Sequence, residues 1–190
     1  MVYHLYMLTF TYNKHWEKGI FNDWENKESP FYQLLTKELE IAIPQEFTDQ
    51  LADKITNDWL EYQEKFLNSL GKFYEKELIM PNITAYLIRG TKMPYNYKVE
   101  NMWFACPLFT TRPDERIFVA MHELVHFFQP VELPRLIKEA IPVILKDKEA
   151  FGIGFRERGH DDEEEQEWRK KIWKLYQDEG KFSDLVNLAK

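Results

Sequence analysis

Three residues in the stretch Met121-His122-Glu123-Leu124-Val125-His126 have the types and the spacing for metal-assisted hydrolysis. On a helix, residues four apart are neighbours, with Cβ atoms about 5–6 Å apart. The His122 and His126 imidazoles can therefore converge on one cation, a geometry that suits tetrahedral zinc. The helical period turns Glu123 about 100° away from His122. It flanks the metal and can hydrogen-bond a metal-bound water without taking a coordination position, as a general base must. H-E-x-x-H carries this meaning only in a helical context.

The context is present. Pro113 suits a first helical position, Asp114 and Glu115 favour the positive end of the helix dipole, and Ile117, Met121, Leu124 or Val125, and Phe128 form an apolar stripe that Pro130 ends. A catalytic zinc commonly has two His and one Glu with a water in the fourth position, so a third ligand is needed. Glu139 stands after twelve intervening residues, in Leu133-Pro134-Arg135-Leu136-Ile137-Lys138-Glu139-Ala140. Pro134 can open that helix, and the short link from Pro130 turns the chain back. Two other candidates remain. Glu132 lies six residues after His126, the third-ligand position of the metzincin pattern, although Gln129 stands where that pattern has Gly. His160, in a Gly-flanked loop, is a candidate ligand or transition-state donor.

His122-Glu-Leu-Val-His126 followed by Leu133-Pro-Arg-Leu-Ile-Lys-Glu139-Ala140 resembles the gluzincin (peptidase MA-like) pattern, H-E-L-x-H and then L-P-x-W-x-x-E-G/A on a second, glutamate-bearing helix. The resemblance covers about thirty residues. It implies His122, His126 and Glu139 as ligands of Zn2+, Glu123 as general base and proton shuttle, and a peptide or protein substrate. Leu136 stands where such proteins often have Trp, Ala140 where they often have Gly, and Pro142 interrupts the second helix. Gluzincins also have an edge strand upstream of the active helix that pairs with extended substrate. Asn101-Met102-Trp103-Phe104-Ala105 is similar to it, which makes Asn101, Met102 and Trp103 candidate substrate-binding residues.

The remaining elements must position this site. Residues 2–12 read as a strand, Ser29-Pro30 opens a helix to about Ile43, and an apolar stripe from Phe47 to Phe73 makes a long helix across 46–78. From Asn82 the period changes to two, giving strands over 82–89 and 97–105 around a Gly90-to-Pro94 turn. Residues 113–147 carry the metal-site helices. After a glycine-punctuated loop over 151–159, the acidic run Asp161–Glu165 opens a C-terminal helix whose packing face is Trp168, Ile172, Leu175 and Tyr176, followed by a short terminal helix. The fold class expected is α+β and zincin-like, a small sheet on a helix-rich scaffold, as a single domain over 1–190.

Composition narrows the function. The 190 residues are 44% hydrophobic and 16% aromatic, ample for a core. A net charge of −7, with no Lys/Arg cluster interleaved with aromatics, argues against nucleic acid. The longest apolar runs are far short of the eighteen or so residues of a membrane span, and the first residues lack the features of a secretion signal. Cys106 is the only cysteine, which fits a reducing compartment. A cytoplasmic protein is expected.

Overall fold

The computed structural model describes residues 8–22, 42–89, 95–96, 102–112, 114–154 and 159–188. The start of the first expected strand, the helix expected from Ser29, the Gly90-to-Pro94 turn and most of the strand expected over 97–105 lie outside them. The described chain is α+β: a four-stranded mixed sheet with seven α-helices. In chain order the elements are β1 (Leu8–Tyr12), α1 (Lys14–Asn22), α2 (Gln45–Tyr74), β2 (Ile83–Ile88), β3 (Tyr95–Asn96), β4 (Trp103–Pro107), α3 (Glu115–Phe128), α4 (Arg135–Ala140), a 3-10 helix (Ile141–Lys146), α5 (Lys148–Phe151), α6 (Glu163–Gln177) and α7 (Phe182–Leu188). They form two compact units, Met1–Trp59 with Pro81–Arg116, and Leu60–Met80 with Ile117–Lys190.

The first unit is built on the sheet, with strand order β1-β2-β4-β3. β1 pairs parallel with β2 in the register Leu8 to Ile83, and β2 pairs parallel with β4 in the register Thr84 to Trp103. In β1 the period of two is visible as burial: Leu8, Phe10 and Tyr12 are buried and Thr9 is exposed. The inner strands bury residues on both faces, as parallel strands do, with Ala85, Leu87, Phe104, Ala105 and Cys106 fully enclosed. The outer edge of β1 finds a partner in α2. Phe10 N donates to Thr56 Oγ1 at 3.4 Å, and Thr56 Oγ1 donates to Ala52 O at 2.9 Å. Ile55 and the fully buried Trp59 supply the apolar face of α2 in this unit.

A buried ion pair ties α1 to the end of β2. Glu17 is fully enclosed; its carboxylate accepts from Arg89 Nη2 at 2.9 Å, from the Arg89 backbone N at 2.6 Å and from the Tyr12 hydroxyl at 3.0 Å. Burial, reinforced by the Glu17 charge, pushes the Tyr12 phenol up to about 12. Arg116 closes the far end of β4 by donating to the carbonyls of Pro107 and Leu108, at 3.1 and 2.6 Å. Cys106 is fully buried, with Sγ 3.8 Å from Arg116 O.

The second unit is helical. Phe66, Leu70 and Phe73 from α2 are buried with Met121, Leu124 and Val125 of α3, Ile137 of α4, Phe151, Ile172 and Leu185. Phe66 meets Phe151 with ring centroids 6.2 Å apart, and Phe73 meets Tyr176 at 5.9 Å. The long helix stops at Tyr74, just past the end of the apolar stripe and short of the expected end at 78. Glu75 turns left-handed at φ 57°, and Lys76 N donates back to Gly71 O at 3.1 Å. A Cβ on Gly71 would lie 2.7 Å from Lys76 O, so only glycine admits this reversal. Asp162 caps α6, accepting from Glu165 N at 2.8 Å, as the acidic run implied.

Candidate metal centre

α3 carries the H-E-x-x-H stretch. Its apolar residues turn inward as the stripe requires, with Ile117, Phe118, Ala120, Met121, Leu124 and Val125 buried. His122 and His126 are half-buried, one above the other, with ring centroids 5.1 Å apart and planes at 68°. After Pro130 the chain turns, Leu133 N donating to Pro130 O at 3.3 Å, and Pro134 opens α4, accepting at its carbonyl from Ile137 N and Lys138 N at 3.0 Å each. This brings Glu139 to the histidines. Among the described residues, His122, His126 and Glu139 form a cluster in which one ligand atom of each lies within 4.8 Å of the others.

The donor set fits a divalent transition metal. Zinc binds imidazole N and carboxylate O at about 2.0–2.2 Å, which places tetrahedral donor atoms about 3.3–3.5 Å apart. His126 Nε2 and Glu139 Oε2 are 3.6 Å apart, close to such an edge before any contraction. Glu123 is buried, at 7% exposure, and stands outside the three-ligand cluster while sharing its helix. Glu123 is thus a second carboxylate beside the three candidate ligands and outside their cluster.

The other sequence candidates fall elsewhere. Glu132 is exposed in the turn. His160 is not in the cluster: its Nδ1 lies 2.7 Å from Glu165 Oε2 and its backbone N donates to Glu165 Oε1 at 3.0 Å. Asn101 lies outside the described residues. Met102 precedes β4, its carbonyl accepting from Thr84 N at 3.1 Å. Trp103 packs edge-on against Trp16, with centroids 4.7 Å apart. β4 was expected at the sheet edge; instead β3 pairs with it at Phe104 and Trp103, so the two-residue strand occupies the position a peptide would take there.

Two residues at the centre were not singled out by the sequence. Gln129, 8% exposed, lies 3.2 Å from His126 Nδ1 through Oε1, and its Nε2 donates to Lys138 O at 2.9 Å. Its position three residues after His126 was the available signal. Arg169, 2% exposed, donates from Nη1 to Glu139 O at 3.3 Å and pairs with the equally buried Glu165 at 3.8 Å. The sequence centred the α6 face on Trp168, Ile172, Leu175 and Tyr176, of which Ile172 is buried. The buried residues are Glu165, Arg169 and Ile172, a rotation made possible because opposite charges four residues apart can be buried together.

No family model, curated protein or solved structure matches the chain. The metal cluster, not a relative, has to support the functional reading. No helix among the described residues is long and apolar enough to cross a membrane.

Proposed function

We propose that the chain is a zinc metallopeptidase of the gluzincin type, hydrolysing bonds in a peptide or protein substrate. One observation carries this reading: two imidazoles from one helix and a carboxylate from the next converge within 4.8 Å, beside a buried glutamate that does not join them. His122 Nε2 or Nδ1, His126 Nε2 and a Glu139 oxygen would hold the ion, with both imidazoles neutral. Zinc bound there supplies Lewis acidity, polarising a carbonyl and lowering the pKa of water towards about 7. Glu123 would take the proton from the attacking water as base and hand it to the departing nitrogen as acid. With Cys106 the only cysteine, no internal disulfide is possible, which supports a reducing, cytoplasmic setting.

The test is metal content together with turnover. Wild type should hold about one zinc per chain, lost in Glu139→Ala and His126→Ala and retained in Glu123→Gln. Glu123→Gln should lower cleavage of a mixed peptide library by roughly 10²–10⁴-fold. Wild type that stays metal-free after incubation with zinc at neutral pH would refute the proposal. Zinc binding with no cleavage, unaltered by Glu123→Gln, would instead establish a non-catalytic binding protein.

A further inference from the structure

Pro142 is the departure from the gluzincin pattern with the largest backbone consequence, and the structure shows what answers it. In an α-helix each carbonyl accepts from the N–H four residues on. The last such bond of α4 runs from Ile141 N to Ile137 O. The next would run from residue 142 to Lys138 O, and proline has no N–H. From Ile141 the chain is a 3-10 helix capped by Ala140, so its bonds begin after Glu139. The proline thus deprives the Lys138 carbonyl of its helical donor. That carbonyl and the neighbouring one of Glu139 are nevertheless satisfied. Gln129 Nε2 donates to Lys138 O at 2.9 Å, and Arg169 Nη1 donates to Glu139 O at 3.3 Å.

The Gln129 amide does two things at once. With Nε2 committed to Lys138 O, its Oε1 faces His126 Nδ1 at 3.2 Å as an acceptor. That acceptor keeps the proton on Nδ1 and leaves the lone pair on Nε2, the atom that faces Glu139. We propose that Gln129 is a positioning residue of the metal centre, its amide substituting for the backbone donor that Pro142 lacks and setting the His126 tautomer. One side chain so couples His126 of the first helix to the carbonyl of Lys138, the residue before Glu139, in the second. Arg169 supplies the parallel contact from α6.

This role rests on the metal-centre reading above, and the test separates the two. Zinc affinity is measured by competition with a chromophoric chelator on the full chain, and the Co2+ form by its visible spectrum. Gln129→Met should weaken zinc binding by about 10–100-fold, the usual effect of losing an outer-shell partner of a ligand, and should alter the Co2+ bands. Gln129→Glu keeps an acceptor for His126 Nδ1 but presents no donor to Lys138 O. It should also lose affinity, and it provides the reading if the Met variant does not fold. In a Pro142→Ala background residue 142 regains its N–H, so the loss caused by Gln129→Met should shrink at least about threefold, since coupled groups are non-additive. Zinc affinity within twofold of wild type in a folded Gln129 variant, or an equal loss in both backgrounds, would overturn the proposal while leaving the metal centre standing. Wild type without zinc would remove both.

Discussion

Arg169→Met is the perturbation whose cost follows most directly from the structure. Arg169 and Glu165 are each 2% exposed and 3.8 Å apart at their nearest charged atoms, and the carboxylate also lies 2.7 Å from His160 Nδ1. Removing one member of a buried pair leaves an uncompensated charge and costs about 3–5 kcal/mol. The same change orphans the Glu139 carbonyl, adding about 1–3 kcal/mol if water does not replace the donor. A loss of about 4–8 kcal/mol is expected, a large share of the ~5–15 kcal/mol that holds a domain together. With an unfolding entropy of ~2.1 cal/mol/K per residue over 190 residues, Tm should fall by about 10–20 °C. Thermal and urea melts followed by circular dichroism measure it. The paired replacement Glu165→Met with Arg169→Met leaves no lone charge, so it should recover most of the loss. An Arg169→Met protein melting within about 2 °C of wild type would refute the reasoning, because a buried, structurally committed guanidinium cannot be removed so cheaply.

Alkaline stability should depend on Tyr12. Its phenol is raised from 10.0 to about 12 in the folded chain, so the stabilisation is intact below pH 10 and is lost as pH rises towards 12, where only the unfolded chain has already ionised. Urea midpoints at pH 9 and pH 11 should therefore fall further in wild type than in Tyr12→Phe, and equal falls would contradict this. Trp59, fully enclosed in the first unit, should cost about 3–5 kcal/mol on replacement by Ala, read as a lower urea midpoint with unchanged zinc stoichiometry. Zinc affinity should fall progressively as pH is lowered, since each imidazole must shed its proton to bind; chelator competition at stepped pH checks this, and an affinity independent of pH would count against histidine ligation.

The site was more legible than the architecture around it. Two histidines four apart and a glutamate beyond a proline turn are local facts, and local geometry alone brings His122, His126 and Glu139 together. The strand over 83–88 was visible in its alternating burial, yet its partners were not: β1 and β4 flank it in parallel, and parallel neighbours are joined by long crossovers that leave no mark at the pairing positions. The α6 face was misjudged because hydrophobic periodicity assumes that charges face water, whereas Glu165 and Arg169 neutralise one another inside. Pro142 was read as a break beside the third ligand. What could not be read was the compensation, because Gln129 answers it from the bend after α3 and Arg169 from α6.

The turn from Pro130 to Leu133 also has a kinetic meaning. All three ligands come from the short span between His122 and Glu139, so bringing them together closes only a small loop at little entropic cost. Pairing β1 with β2 must instead join Tyr12 to Leu87 across most of the intervening chain. Contacts of that range form slowly. The metal centre is thus placed to assemble ahead of the sheet, and an ion captured there would act as a nucleus: added zinc should raise the refolding rate as well as lower the unfolding rate.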